Sequence, residues 1–385
     1  MAENEWALHT PPRDGITALR FASDARTLLV ASWDATLRLY DVHANSARTQ
    51  LLQLSALLDC DFGGSTSAAL SGGLDGSVRL HDLNVGSDRV LGKHHNAARC
   101  VRHCAAAGVA LSGSWDKSLK VWDVRAAEPC VGTYAQPDKV LAMCAGPADA
   151  VTGTGAPLAV VCTAGRHVHI IDMRQPSEPM QRRESALKCQ TRCVAQMGGG
   201  RGYAMGAVEG RVAVEFNDPA EAAQSQRYAF KCHRAADGTV YPVNAAAFHP
   251  AHGTLATGGA DGLVNVWDVS HKKRVCQLRR YPTSVRAIAA RTPAAAGAPS
   301  AKSRPLIAGG GARFLARRGR APRRRRIVHV GARRRARHAG RRNHHTPRRR
   351  RRRATEGAAA AAGEGPDAVE RVHGAGLDLR RGCPA

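Results

Sequence analysis

Aromatic residues make up only 4% of this 385-residue chain. No apolar run reaches the roughly 18 residues that a membrane-spanning helix requires, so no membrane partner is expected. Met1–Thr10 has neither a basic start nor an apolar stretch behind it, and does not read as a signal peptide. The 11 cysteines include no CxxC pair. Cys100/Cys104 and Cys189/Cys193 are each four apart, a spacing that on a strand puts both thiols on one face. Small buried hydrophobes in a reducing compartment are one reading of the cysteines, and a zinc site is the other. Neither an HExxH nor a GxSxG context occurs among the 17 scattered histidines and the serines. The glycine pairs Gly72–Gly73 and Gly258–Gly259 precede turns rather than helices, which excludes a phosphate-binding loop. The expectation is therefore no enzyme, with no catalytic, cofactor or metal-binding residues.

Acidic residues are also scarce, and unevenly so. Lys and Arg total 57 against 31 Asp and Glu, a formal net charge of +26. Between Arg313 and Arg353 stand 20 Arg and no Lys, Asp or Glu, whereas residues 1–312 carry only about +8. The last lysine is Lys302. Residues 309–385 are rich in Arg, Ala and Gly, lack hydrophobic periodicity, and read as a disordered tail. The runs Arg323–Arg326 and Arg348–Arg353 could bind nucleic-acid phosphates if the tail is a genuine product. An out-of-frame or mis-spliced translation of a GC-rich gene would have the same composition. An unremarkable disordered tail is the third reading.

What the first 270 residues do contain is a repeat. Ser32–Asp41 (SWDATLRLYD), Ser71–Asp82 (SGGLDGSVRLHD) and Ser112–Asp123 (SGSWDKSLKVWD) align on closing aspartates 41 residues apart. Thr163–Asp172, Gly206–Phe216 and Thr257–Asp268 continue the series at longer spacings, which calls for loop insertions. A repeat of this length and ending is the WD pattern, one four-stranded blade of a β-propeller per copy. In the third copy, Val109–Ser112 and Leu119–Trp122 read as strands around a turn at Ser114–Lys117, with Asp116 supplying the turn chemistry. The first strands of blades begin at Thr17–Phe21, Leu57–Phe62, Arg99–Cys104, Thr191–Ala195 and Val243–Phe248.

The ends of the propeller must meet. Glu5–His9 alternates and is placed to be the outer strand of the last blade. Thr283–Ala289 and Pro305–Ala308 supply two more of its strands, but after Gly309 the pattern stops, with no turn aspartate and no third strand. The expected fold class is thus an all-β WD-repeat propeller spanning residues 5–308, six blades complete and the seventh incomplete, with open edges.

Candidate binding residues are those that break the repeat on one rim. Before the turn aspartate stand Trp33 and Trp115, where other blades have Leu74 and Ala260. A rim tryptophan is either a binding anchor or a side chain folded against its own blade. The corresponding turns of copies four and five hold Arg166 and Arg211. The inter-blade loops on the same rim hold Arg192, and then Lys231, His233 and Arg234. Arg192, Arg211, Lys231 and Arg234 are expected to converge on adjacent blades, either as a focused patch for acidic or phosphorylated peptides or as scattered surface charge.

These stretches resemble the checkpoint WD-repeat family of the Bub kinases' seven-bladed partner. The resemblance rests on SWDATLRLYDV, SGGLDGSVRLHDLN, SGSWDKSLKVWD, QRRESALKCQTRC, EGRVAVEF, YAFKCHR, YPVNAAAFHP, TGGADGLVNVWD and RRYPTSV, and spans residues 5–308. It implies a non-enzymatic adaptor in the nucleus, and at kinetochores in mitosis. The implied partners are checkpoint kinases and kinase-like proteins with the acidic GLEBS motif, and the kinetochore scaffold with phosphorylated MELT repeats. By the same resemblance Trp33, Trp115 and Arg192 contact the acidic motif, while Arg211 and Lys231 hold the phosphothreonine with Arg234 beside them. The related messenger-RNA export WD-repeat family, which also binds GLEBS motifs at nuclear pores, is the alternative.

Overall fold

The computed structural model describes residues 5–148, 155–278, 280–290, 305–309 and 314–317. Six four-stranded antiparallel sheets follow one another along the chain as blades 1 to 6, at residues 16–52, 57–93, 98–135, 140–184, 191–231 and 243–277. Blade 1 shows the pattern, with Ile16–Phe21 innermost, then Thr27–Ser32, Thr36–Asp41 and, outermost, Ser46–Leu52. The inner strands lie side by side in a closed ring, with Ile16–Phe21 against both Leu57–Phe62 and Val285–Ala290. The WD-repeat propeller read from the repeat is the fold observed.

The closing sheet departs from expectation. Val285–Ala290 and Pro305–Gly309 form its inner half as anticipated, and Glu5–Trp6 is its outermost strand. The third strand, predicted to be missing, is Phe314–Arg317, paired with Pro305–Gly309 on one side and with Glu5–Trp6 on the other. A ladder needs only backbone N–H and C=O groups, so a segment without the turn aspartate can still complete it. Residues 318–385, with Arg323–Arg326 and Arg348–Arg353, lie outside the described residues.

The apolar cores sit between blades. Alternation along each strand sends one set of side chains to the neighbour on either side. Cys100, Cys104, Leu111 and Val121 of blade 3 pack with Val140, Met143, Val161 and Ile171 of blade 4. Ile16, Leu28, Val30 and Tyr40 of blade 1 meet Ala287 and Ala289 of the closing sheet, with Leu8 from the first connection beside them. Cys60, Cys100, Cys104, Cys144 and Cys162 behave as small buried hydrophobes, and burial pushes the Cys144 thiol up to about 12. Cys130, Cys189 and Cys276 are exposed free thiols instead. Cys189 precedes the strand Thr191–Gln196, so it does not share a strand face with Cys193.

Polar chains stitch two blades internally. In blade 3, Trp122 Nε1 donates to Ser112 Oγ at 2.8 Å, and Ser112 Oγ meets His94 Nε2 at 2.7 Å. His94 Nδ1 meets Ser118 Oγ at 2.8 Å and Asp116 Oδ2 at 3.2 Å. Blade 6 repeats the arrangement with Trp267, Thr257, His233 and Asp261. Asp116 was expected to serve the turn, and it does, by accepting from Ser118 N at 2.9 Å. Its second role, holding the His94 ring, comes from a residue outside the turn. In blade 2, His81 stands at the far end of the chain in place of tryptophan, its Nε2 2.8 Å from Ser71 Oγ.

His81 is fully buried, and its Nδ1 finds no partner among the described residues. Burial pushes its pKa down from 6.5 to about 4. The unfolded chain therefore takes up this proton first, so stability from His81 is complete above about pH 6.5 and declines as pH falls toward 4. The full loss is about 3 kcal/mol, at about 1.4 kcal/mol per pKa unit. Urea unfolding at pH 7 and 4.5 measures it, with His81→Gln as reference. The wild type should lose more stability than the variant between those pH values.

Candidate functional site

The site is built by one irregularity repeated around the ring. In every inner strand the register slips near the start, for example between Ile16 and Ala18, between Ala98 and Cys100, and between Thr191 and Cys193. Such a β-bulge sets two residues against one and re-aims a side chain. The bulged residues Thr17, Arg99, Leu141, Arg192, Asn244 and Arg286 line a central cavity of about 330 Å³. The seventh, Leu58, is buried instead, and its carbonyl accepts a long 3.5 Å contact from Arg99 Nη1. Three guanidinium groups, from blades 3 and 5 and the closing sheet, thus face one channel mouth. Arg192 Nη2 donates to Asn244 Oδ1 at 3.2 Å. Enclosure in the channel, and then the charges of Arg99 and Arg286, pull the Arg192 pKa below its ordinary value.

Deeper in the channel the charges are matched. Asp59 lies 3.5 Å from Arg20 and is hydrogen-bonded to Arg102, and Asp61 lies 3.8 Å from Arg20. The Asp59 carboxylate and its neighbour Asp61 push the Arg102 pKa up against the opposing effect of burial.

The turn between second and third strands shares the mouth's end of each blade. Ile16 pairs with Ser32, and Trp33 N donates to Gly15 O at 2.9 Å. On blade 5 this end is basic. Arg211 and Lys231 are direct cross-strand partners, and Arg234 Nη2 donates to Glu209 O in the same turn at 2.9 Å. Gly210 makes the tight approach possible. Its φ is +64°, and a Cβ there would meet the His233 carbonyl at 2.6 Å. Glu209 is the local counter-charge, 3.7 Å from Arg211 Nε.

The family model described as "WD domain, G-beta repeat" matches residues 6–41, 87–123 and 224–268. "Mitotic checkpoint protein BUB3.1" of Arabidopsis thaliana is 50% identical over 288 residues, which is 73% of this chain and 82% of that protein. The chain belongs to the Bub3 family of WD-repeat proteins. "Mitotic checkpoint protein bub3" of Dictyostelium discoideum is 37% identical over 73% of this chain and 83% of its own length. "Poly(A)+ RNA export protein" of Schizosaccharomyces pombe is 36% identical over 71% of this chain and 76% of its own length.

Within this Bub3-family propeller the candidate residues divide. Arg211, Lys231 and Arg234 gather at one turn, but on a single blade rather than on adjacent ones. The ladder explains this, because the third strand begins where the fourth ends. Arg192 is on the same blade but not in a loop. It is the second residue of the inner strand Thr191–Gln196 and points into the channel. His233 is no rim cation, being fully buried in the blade 6 polar chain. Arg166 is occupied by Glu184 at 3.0 Å and by the Ser185 and Leu187 carbonyls. Trp33 is 38% exposed on blade 1. Trp115 is half-buried on blade 3, and its indole N–H has no acceptor among the described residues.

Sequence reasoning missed Arg99 and Arg286, although both occupy the column that holds Arg192, the second residue of an inner strand. It also missed the apolar neighbours of Trp33. Leu52 and Leu54 flank Gln53, whose N–H donates to Ala35 O in the Trp33 turn at 2.8 Å, and they are 75% and 93% exposed.

The shared carboxylate gives a stability test. Asp59→Asn removes the charge between Arg20 and Arg102 and leaves Asp61 alone to answer both cations. Breaking one side of such a buried pair costs about 3–5 kcal/mol. Denaturant titration should show that loss at low salt, with partial recovery as added salt screens the repulsion.

Proposed function

We propose that this chain is a non-enzymatic mitotic checkpoint adaptor, acting in the nucleus and at kinetochores, that joins two kinds of peptide on one rim. Checkpoint kinases and kinase-like proteins would dock their acidic GLEBS motif across the channel mouth, with Trp33 and Trp115 as apolar anchors and Arg192 as the carboxylate partner. The phosphorylated MELT repeats of the kinetochore scaffold would dock on blade 5, with Arg211 and Lys231 on the phosphothreonine and Arg234 beside them. The observation that carries the reading is the direct cross-strand pairing of Arg211 with Lys231, opposed by one carboxylate at 3.7 Å. A phosphate with nearly two charges and three acceptor oxygens can engage both cations. The acidic mouth ligand is supported by the Arg99, Arg192 and Arg286 ring.

The relatives support the checkpoint reading over messenger-RNA export at nuclear pores. The 50% identity is to a checkpoint protein, against 36% for the export protein. Binding of a nuclear-pore peptide in preference to a kinase peptide would reverse that choice.

Calorimetry with phosphorylated and unphosphorylated MELT-type peptides tests the phosphate site. Arg211→Ala should weaken the phosphorylated peptide roughly ten- to a hundredfold and leave the unphosphorylated one nearly unchanged, since a charge-assisted hydrogen bond contributes about 1.5–3 kcal/mol. Arg211→Lys should restore only part of the affinity, because an ammonium lacks the bidentate fork. Glu209→Gln should tighten binding by releasing Arg211 from its local carboxylate. Equal losses for both peptides in Arg211→Ala would defeat the assignment. Trp33→Ala should weaken only the acidic kinase peptide.

A further inference from the structure

The three mouth arginines are brought together without a counter-charge. Among the described residues Arg99, Arg192 and Arg286 form no ion pair, and Arg286 also forms no hydrogen bond. The hydrogen-bond partners of Arg192 and Arg99 are neutral, the Asn244 amide oxygen and the Leu58 carbonyl. The carboxylates of the channel lie in the next layer, where Asp59 and Asp61 answer Arg20 and Arg102. Three like charges on a walled opening focus a positive potential there. The backbone holds them in place, because each sits on a bulge of a strand packed between two others.

We propose that the channel mouth binds a small free phosphate-bearing anion, gripped by Arg99, Arg192 and Arg286. A single carboxylate brings one charge and two oxygens, so an acidic peptide needs several of them to answer the ring. A diphosphate or a polyphosphorylated small molecule brings two or more charges and enough oxygens for three guanidinium groups. The cavity of about 330 Å³ behind the mouth gives such an anion room below the rim plane. Asn244, which holds Arg192, presents its own N–H groups to Ser284 Oγ at 3.0 Å and the Val285 carbonyl, and so ties the blade 5 arginine to the strand that carries Arg286. The inference shares Arg192 with the acidic-peptide reading. It follows that a bound anion and an acidic kinase peptide should exclude one another.

Inorganic pyrophosphate is the probe. Titrated calorimetrically into the full chain at low salt, it should bind tightly at one site per chain, with the blade 5 turn as a second and weaker site. Arg286→Gln and Arg99→Gln should each weaken the tight site at least tenfold, whereas Arg211→Ala should remove only the weaker binding at the blade 5 turn. Thermal unfolding of each variant in parallel reports whether it is folded, and the exposed Arg286 site serves if the Arg99 variant is not. Pyrophosphate at saturation should raise the apparent Kd of the acidic peptide. No binding at millimolar pyrophosphate, or equal binding by sulfate at matched ionic strength, would overturn the proposal. So would loss of the tight site in Arg211→Ala without its loss in Arg286→Gln, which would place the anion on blade 5. The direct pyrophosphate titrations do not depend on whether the acidic peptide binds, so the two readings can fail separately.

Discussion

The β-bulge at the head of each inner strand is the constraint on which the rest of the site depends. An unbroken strand would alternate its side chains between the two inter-blade cores. One extra residue breaks that alternation and leaves a side chain with no core to enter. In a closed ring the only remaining direction is the axis. The chain uses the position for arginine in blades 3 and 5 and the closing sheet, and for Thr17, Leu141 and Asn244 in blades 1, 4 and 6, while Leu58 of blade 2 is buried. The residue after the bulge returns to the core, as Ala18 and Cys100 do. A ring of charge and a ring of apolar seams thus come from the same seven strands.

Charge is arranged by depth within that ring. Carboxylates are spent in the interior layer, where Arg20 and Arg102 would otherwise be costly to enclose. The mouth and the blade 5 turn are left basic, with Glu209 the carboxylate beside Arg211 at that turn. The rim opposite Arg211 around the ring, on blades 1 and 2, is apolar, with Trp33, Leu54 and Leu74 exposed. This end of the ring therefore runs from exposed apolar side chains through a cationic opening to the basic turn of blade 5. The polar chains of blades 3 and 6 hold two of the turns on this end, because His94 and His233 clamp Asp116 and Asp261 within them.

The repeat made most of this legible. The closing aspartates fixed the blades, and the residue before each turn aspartate fixed the rim, so Trp33 and Trp115 could be placed without coordinates. Arg211, Lys231 and Arg234 were read as neighbours, but the sequence could not say that two of them face each other across one ladder, since register follows from pairing rather than from composition. Arg99 and Arg286 were hidden because the residue types alone do not show where a bulge breaks the alternation. The Trp122–Ser112–His94–Asp116 chain was hidden for a different reason: His94 belongs to the connection before blade 3, so its contribution lies outside the strand-turn-strand segment that repeats. Phe314–Arg317 escaped notice because its pairing is carried by backbone groups.

The central claim is that one end of the propeller reads anionic peptides while the opposite end does not. Hydrogen–deuterium exchange of the full chain with and without an acidic GLEBS-type peptide tests it most directly. The account predicts slowed exchange around residues 31–36, 113–118 and 190–193, the turns and strand heads at the channel mouth, with little change elsewhere. Protection confined to the opposite turns, around residues 42–46, 84–87 and 124–130, would contradict it.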